Sequence, residues 1–268
     1  MMQHVHIDFE PADFAELPAG PQVVPSYAQQ VWASGPGAYW RLGEASPGPL
    51  PDQAGGHDLT AVGAVQRGAG GAIAFSADAA IDLAGGYLAA ADAPGLRRGL
   101  GQTLGVCAWI APTTAAGGKP RYLIGKGRTA PASSDQNWAV RLSPTGDGAA
   151  AVVSLLYRSA DDQSWNWWNG HTPIVANTGY HFVALCFTFG QPASMRVWID
   201  GAPGSGAWVD DGGLAAPIQN ASPLWIGSTL GNTDPGFRFA GCMDELAVFD
   251  QPLSDDLIAS LYRKGAGR

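Results

Sequence analysis

Residues 104–110 have the sequence Leu-Gly-Val-Cys-Ala-Trp-Ile, an apolar run without a charged side chain. A run this short, with β-branched and aromatic residues, favours a buried β-strand over a helix. Nine further runs follow the same pattern, with Gly, Pro, Asn and Asp between them, and together they predict an all-β sandwich or barrel. The ten runs are residues 59–65, 72–75, 104–110, 122–126, 138–142, 151–157, 181–189, 195–199, 224–226 and 242–249.

The composition supports one folded, many-stranded domain. The chain has 268 residues, 46% hydrophobic and 14% charged, with 37 Gly, 20 Pro and ten Trp. Disordered chains have more charge and fewer aromatic residues, and helical bundles have fewer turn formers. The net charge is −8 and no run of Lys and Arg occurs. Nucleic acid is therefore not an expected partner, because nothing along the sequence would neutralise its phosphates.

The amino-terminal residues differ from the rest of the chain. Residues 1–26 contain four prolines and few apolar residues, which predicts an extended arm ahead of a domain at 27–268. The arm is either a loose terminus or a segment that docks on a partner. It lacks the basic start and apolar core of a signal peptide, and the apolar stretch 149–157 is too short to span a bilayer. We expect synthesis in the cytoplasm and no membrane insertion.

Local signals predict two helices and one hairpin. Residues 26–33 have the composition of one or two helical turns, which Gly35-Pro36-Gly37 would end. Ser254 is a predicted cap for a short carboxyl-terminal helix that ends at Gly265. Asp200-Gly201 predicts a tight hairpin turn, since glycine supplies the positive φ that such turns need.

Three cysteines, Cys107, Cys186 and Cys242, lie in apolar strand-like runs without Cys-x-x-Cys spacing. This pattern favours buried free thiols over a metal cluster. A disulfide between two of them stays open, because it depends on strand adjacency.

Three stretches together resemble the laminin-G-like, concanavalin-A-like jelly-roll family. They are Ala-Tyr-Trp-Arg-Leu-Gly-Glu at 38–44, the run at 104–110, and Gly-Cys-Met-Asp-Glu-Leu-Ala-Val-Phe at 241–249, which is followed by Pro252-Leu253-Ser254. The resemblance covers about residues 38–264. It implies an antiparallel two-sheet jelly-roll β-sandwich, often with a structural calcium ion. It implies little about function, because one fold hosts many activities.

The lead-in from Tyr27-Ala28 to Trp40-Arg41-Leu42 also resembles laminin-G-like proteins of tailed-phage virions. That resemblance implies a noncatalytic structural or adhesion module in a tail, a fibre or a capsid decoration, exposed on the virion surface and extracellular after release. The arm would contact other virion proteins, the module would be a homo-oligomer, and its loops would meet a host surface glycan. The alternatives are a free carbohydrate-binding lectin and a diverged glycoside hydrolase.

Catalytic patterns are missing from the sequence. Related sandwich glycosidases carry Glu-x-Asp-x-x-Glu, because two carboxyl groups must flank the glycosidic bond. This chain has four Glu, none in such a triplet, and no Gly-x-Ser-x-Gly elbow. We therefore expect a protein that is not an enzyme.

Calcium is the ion that the resemblance implies, and calcium takes oxygen ligands. In related sandwiches an acid near the first strand and an acid near the last can meet. The corresponding candidates here are Glu44 and Asp244, with Asp52 in the following loop as a third. The alternative is that these acids form hydrogen bonds at a sheet edge and in an exposed loop.

The most unusual segment is residues 161–171, in which three tryptophans occur within four positions beside amides and acids. Flat apolar rings beside directional polar groups are typical of sugar sites, and protein interfaces use the same residues. A third interpretation places Trp165 and Trp167 in the core and Trp168 at an edge. Core packing, an assembly interface and a glycan site all stay open. The candidate residues are Trp165, Asn166, Trp167, Trp168, Asn169 and His171.

Overall fold

The computed structural model describes residues 26–114, 117–128, 135–210, 212–229 and 235–268. In these ranges the chain forms an antiparallel jelly-roll β-sandwich with a short helix at the carboxyl end. The predicted arm lies outside the described residues except for Ser26. No helix among the described residues has the length and apolar content to cross a membrane.

The described residues form fourteen strands and two α-helices. The helices are α1 (Tyr27–Ala33) and α2 (Asp255–Gly265). The strands are β1 (Ala38–Trp40), β2 (Thr60–Gly70), β3 (Ala79–Ala90), β4 (Thr103–Pro112), β5 (Arg121–Lys126), β6 (Trp138–Pro144), β7 (Ala150–Arg158), β8 (Trp165–Val175), β9 (His181–Thr188), β10 (Arg196–Ile199), β11 (Ala202–Pro203), β12 (Gly206–Val209), β13 (Leu224–Ile226) and β14 (Gly241–Phe249).

Strand pairing follows one continuous antiparallel ladder that curls into two packed sheets. The order is β11-β10-β9-β4-β14-β3-β13-β5-β6-β7-β8-β12, with β1 added to β14 and β2 added to β3. We call β1, β4, β9, β10, β11 and β14 the helix-side sheet, and β5–β8, β12 and β13 the open-side sheet. Strand β3 joins them, because Ile81 and Asp82 pair with β14 while 88–90 pair with β13.

Strand β4 is buried on both of its faces. Val106, Ala108 and Ile110 lie in the main core between the sheets, packed with residues of the open-side sheet. Cys107 and Trp109, which alternate with them, lie in a second core on the opposite face. Side chains alternate across a strand, so a strand covered on both sides needs apolar residues at every position. This explains the uninterrupted apolar run at 104–110.

The two helices cover the outer face of the helix-side sheet. Tyr27 and Val31 of α1 and Ile258 and Leu261 of α2 belong to the second core. The ring of Trp109 on β4 is its centre, with centroids 5.2 Å from Phe182, 5.8 Å from Tyr262 and 6.5 Å from Tyr27.

Both helix predictions are confirmed by their caps. The Ser26 side chain and Gln29 form a reciprocal capping box at α1. Ser254 Oγ accepts a hydrogen bond from Leu257 N at 3.2 Å, and α2 extends to Gly265 as predicted. The Asp200-Gly201 hairpin is confirmed as well, since both residues have positive φ and connect β10 to β11.

Some strand predictions are wrong. Residues 72–75 form no strand, and Phe75 has a φ of 58° and is almost fully exposed. The prediction also missed β3, β8 and β12, which hold the sheets together at their join and at one edge. The three cysteines are free thiols, with Cys107 and Cys186 buried and Cys242 partly buried.

Replacing Trp109 with alanine should destabilise the fold by about 3–5 kcal/mol, the usual cost of emptying a buried tryptophan site. Trp109 is 3% exposed, whereas Trp32 on α1 is 56% exposed and provides a matched Trp→Ala control with little expected effect. Urea unfolding of both variants measures the difference. Equal losses would contradict the central role of Trp109.

Candidate functional site

The tryptophan segment forms strand β8, and its side chains alternate between the two faces of the open-side sheet. Trp168 and Asn166 point inward and are each 4% exposed, and Trp168 belongs to the main core. Trp165 and Trp167 point outward, with Trp165 38% exposed and Trp167 partly buried. The interpretation that placed Trp165 and Trp167 in the core and Trp168 at an edge is therefore wrong, since β8 has the opposite orientation.

The polar residues of this segment differ in their surroundings. Asn166 Oδ1 accepts a hydrogen bond from Gly213 N at 2.8 Å, which holds the loop after β12 against β8. His171 lies on the exposed part of β8, and its Nδ1 is 3.2 Å from Ser205 Oγ. Asn169 faces outward beside Trp167. The structure thus divides the six candidate residues between core packing and the outer surface.

Trp167 is held in place by its neighbours on the outer face. Its Nε1 donates to Asn169 Oδ1 at 2.8 Å and to Ser154 Oγ at 3.1 Å. The Arg141 guanidinium lies 4.5 Å from the Trp167 ring centroid and 5.9 Å from that of Tyr122. Strand register places Tyr122, Arg141, Ser154 and Asn169 directly opposite one another across β5, β6, β7 and β8.

Trp165 is flanked by two further arginines. Arg158 is its cross-strand partner on β7, with the guanidinium 4.8 Å from the indole, and Arg128 lies at 5.2 Å. Guanidinium groups at these distances are attracted by the indole quadrupole. We call the surface formed by Tyr122, Arg128, Arg141, Arg158, Trp165 and Trp167 the cationic aromatic face.

The cationic aromatic face contains a buried positive charge, that of Arg141. Its side chain is 4% exposed, and burial lowers its pKa. Guanidinium nevertheless stays protonated in proteins, so Arg141 is a fixed positive charge. Among the described residues, neither Arg141 Nη2 nor the buried Tyr122 hydroxyl has a hydrogen-bond partner.

Tyr122, Arg128, Arg141 and Arg158 were not among the site residues predicted from the sequence. One signal was present, since Arg141 is the only charged residue in the predicted strand 138–142. A charge inside an apolar strand indicates an outward or functional position.

The structure does not bring the three predicted calcium ligands together. The Asp52 carboxylate accepts hydrogen bonds from the backbone amides of Tyr39, Ala54 and His57. Asp244 is buried, with Oδ2 2.8 Å from Ala72 N. In the part of the chain described, no three His, Cys, Asp or Glu side chains, Glu44 included, are grouped to hold a metal. A structural calcium ion remains a prediction.

Asp244 and Glu245 form a second polar cluster, at an irregularity of β14. Glu245 has a φ of 52°, and the register with β4 shifts between Asp244 and Ala247. The Tyr39 hydroxyl donates to Glu245 Oε2, and Arg41 Nε donates to Oε1 at 3.4 Å. Burial raises the pKa of Asp244 to about 7 and that of Glu245 to about 8.

Comparison with known proteins identifies the family. Residues 83–259 match the family model of the concanavalin A-like lectin/glucanases superfamily, so the chain belongs to this family. None of the curated proteins has a sequence that matches this chain.

Solved structures share the fold at low sequence identity. Domain 4 of a GH43 extracellular arabinanase from Geobacillus stearothermophilus, in complex with arabinotriose, has a TM-score of 0.55 and 18% identity, covering 84% of this chain and 97% of that one. A receptor-binding domain of botulinum neurotoxin mosaic serotype C/D has a TM-score of 0.55 and 11% identity, covering 85% of this chain. The chain spans 50% of that domain's length.

A third structure comes from botulinum neurotoxin type C, a toxin whose cell entry depends on interaction with two ganglioside molecules. It has a TM-score of 0.56 and 11% identity, covering 87% of this chain and 52% of that one. At these identities the likeness establishes the fold alone.

The buried acids make stability depend on pH. An acid whose pKa is higher in the folded than in the unfolded chain binds more protons when folded, so stability falls as pH rises between the two values. For Asp244 the window runs from its ordinary value of 3.8 to about 7.

We expect Asp244→Asn to flatten this fall by up to about 1.4 kcal/mol per pH unit, the linkage of one proton. Denaturant unfolding at several pH values between those limits measures the slope. A variant with the wild-type slope would contradict the burial of an uncharged Asp244.

Proposed function

We propose that this protein is a noncatalytic carbohydrate-binding module and that glycans bind on the cationic aromatic face. The observation that carries the proposal is the placement of Trp165, an indole 38% exposed on an outer sheet face and bordered by Arg128 and Arg158. Aromatic rings present flat apolar surfaces to the CH-rich faces of sugars, and the flanking donors bind hydroxyl groups.

The rigidity of the face supports the same proposal. Trp167 is fixed by hydrogen bonds to Asn169 and Ser154. A preformed surface loses little conformational freedom when a ligand binds, so weak stacking contacts yield useful affinity. No α-helix packs on this face among the described residues, in contrast to the helix-side sheet, and the short 3₁₀ helix Pro235–Phe237 contacts Tyr122 at its edge.

The related structures are consistent with a binding role. The arabinanase domain was solved with arabinotriose, and neurotoxin type C depends on two ganglioside molecules for cell entry. These ligands belong to those proteins. They support a carbohydrate ligand for this chain without identifying it.

A finer part of the proposal places the module on the surface of a tailed-phage virion, as a tail, fibre or decoration protein. Its support is the sequence of the lead-in at residues 27–42. In this setting residues 1–26 would attach the module to other virion proteins, and homo-oligomeric copies would raise the avidity for a host surface glycan. Mass spectrometry of purified phage virions tests this part. Absence of the protein from the virions would contradict the virion location.

Trp165→Ala should weaken glycan binding about fivefold, because stacking of one indole contributes on the order of 1 kcal/mol. The variant should fold normally, since Trp165 is not part of a core cluster. Glycan-array screening followed by titration calorimetry measures binding.

Trp32→Ala is the matched control, because Trp32 is an exposed indole on α1 at the far side of the helix-side sheet. Unchanged affinity in Trp165→Ala, or equal loss in both variants, would contradict the proposed location of the site.

A further inference from the structure

The arginines of the cationic aromatic face differ from the other buried cations. Three cationic side chains are buried among the described residues, namely Arg98, Lys126 and Arg141. Arg98 pairs with Asp250, and Lys126 Nζ lies 2.9 Å from Asp92 Oδ1. Arg141 has no carboxylate within 4 Å among the residues described. A charge removed from water without a counter-ion costs free energy, and the aromatic rings beside Arg141 offset only part of this cost.

Within the described ranges, the two arginines beside Trp165 also lack a carboxylate partner, although they lie nearer the surface. In the described part of the chain, neither Arg128 nor Arg158 has a carboxylate partner within 4 Å. Both are partly exposed, so they can contact a ligand directly. The chain as a whole carries a net charge of −8. A cluster of three arginines without carboxylate partners among the described residues therefore gives this face a positive charge on an otherwise acidic protein.

The two tryptophans of this face are neighbours on β8. Trp165 and Trp167 are two positions apart on β8 and point to the same side, which puts their Cα atoms about 6.5–7 Å apart. Each indole carries its own guanidinium, Arg158 on one and Arg141 on the other. The exposed Trp165 provides the ring contact, and the buried Arg141 adds positive potential beneath the neighbouring position.

We infer that the glycan is acidic and that a sugar carboxylate binds at Arg128 and Arg158 while its ring contacts the exposed part of the Trp165 indole. This inference rests on the proposed function. A carboxylate matches guanidinium because the two planar groups form parallel charge-assisted hydrogen bonds. Such a ligand would supply the counter-charge that the described residues do not.

The test compares three probes on the full chain by titration calorimetry: a uronic acid oligosaccharide, a neutral arabino-oligosaccharide of equal length and a sulfated oligosaccharide. We expect the uronic acid chain to bind at least tenfold more tightly than the neutral one. Its affinity should fall as salt rises from about 50 to about 500 mM, because exposed charges are screened, whereas neutral binding should stay constant.

Arg158→Gln should reduce uronic acid binding about tenfold and weaken the neutral probe much less, because the Gln amide can still donate to a hydroxyl group but carries no charge. Arg196→Gln is the matched control, since Arg196 is exposed on β10 of the other sheet. Thermal melting confirms that both variants fold.

The outcomes separate the inference from the proposed function. Neutral and acidic probes that bind equally, both weakened by Trp165→Ala, would overturn the acidic ligand and leave a carbohydrate site in place. A sulfated probe that binds more tightly than the uronic acid would overturn the carboxylate. If no probe binds and no glycan on the array gives a binding signal, the proposed function itself is contradicted.

Discussion

The structure depends on the burial of both faces of one sheet. Strand β4 contributes alternate side chains to two cores, one between the sheets and one beneath the helices. The helices α1 and α2 cover the outer face of the helix-side sheet and bury its apolar side chains. No α-helix covers the outer face of the open-side sheet in the described residues, where the 3₁₀ helix Pro235–Phe237 packs against Tyr122 and the indole of Trp165 stays exposed.

The sequence was most informative where local chemistry determines structure. The apolar run at 104–110, the helical turns at 26–33, the cap at Ser254 and the Asp200-Gly201 turn were all predicted correctly. Each is decided by a few adjacent residues. The fold family could be predicted for the same reason, because several such stretches occur in a characteristic order.

The missed elements have identifiable causes. Strand β3 changes sheets at Gly85-Gly86, and its core-facing positions change from odd numbers, such as Leu83, to even numbers, such as Leu88. A Cβ at Gly86 would lie 2.5 Å from Val62 O, so the close approach to β2 requires glycine. The sequence there shows neither a regular alternation of apolar and polar residues nor an apolar run. Strand β8 was missed because its outward residues are polar or aromatic and interrupt the apolar pattern.

The candidate site could be predicted in part. The tryptophan segment was identified, but its orientation was not, because strand direction depends on register with β7 and β12. The arginines come from three other segments of the chain, and only tertiary structure brings them to these indoles. The grouping of Glu44, Asp52 and Asp244 was predicted and is not found among the described residues, and three backbone amides occupy the carboxylate of Asp52.

The position of β14 has a consequence for how the protein is made. This strand is among the last elements in the chain, yet it lies between β4 and β3 and also pairs with β1. Segments that emerge from the ribosome earlier therefore lack their central neighbour, and the contacts that close the sandwich join residues far apart in sequence. The sheets can therefore close only after β14 has been synthesised, and the strands before it expose apolar side chains until then.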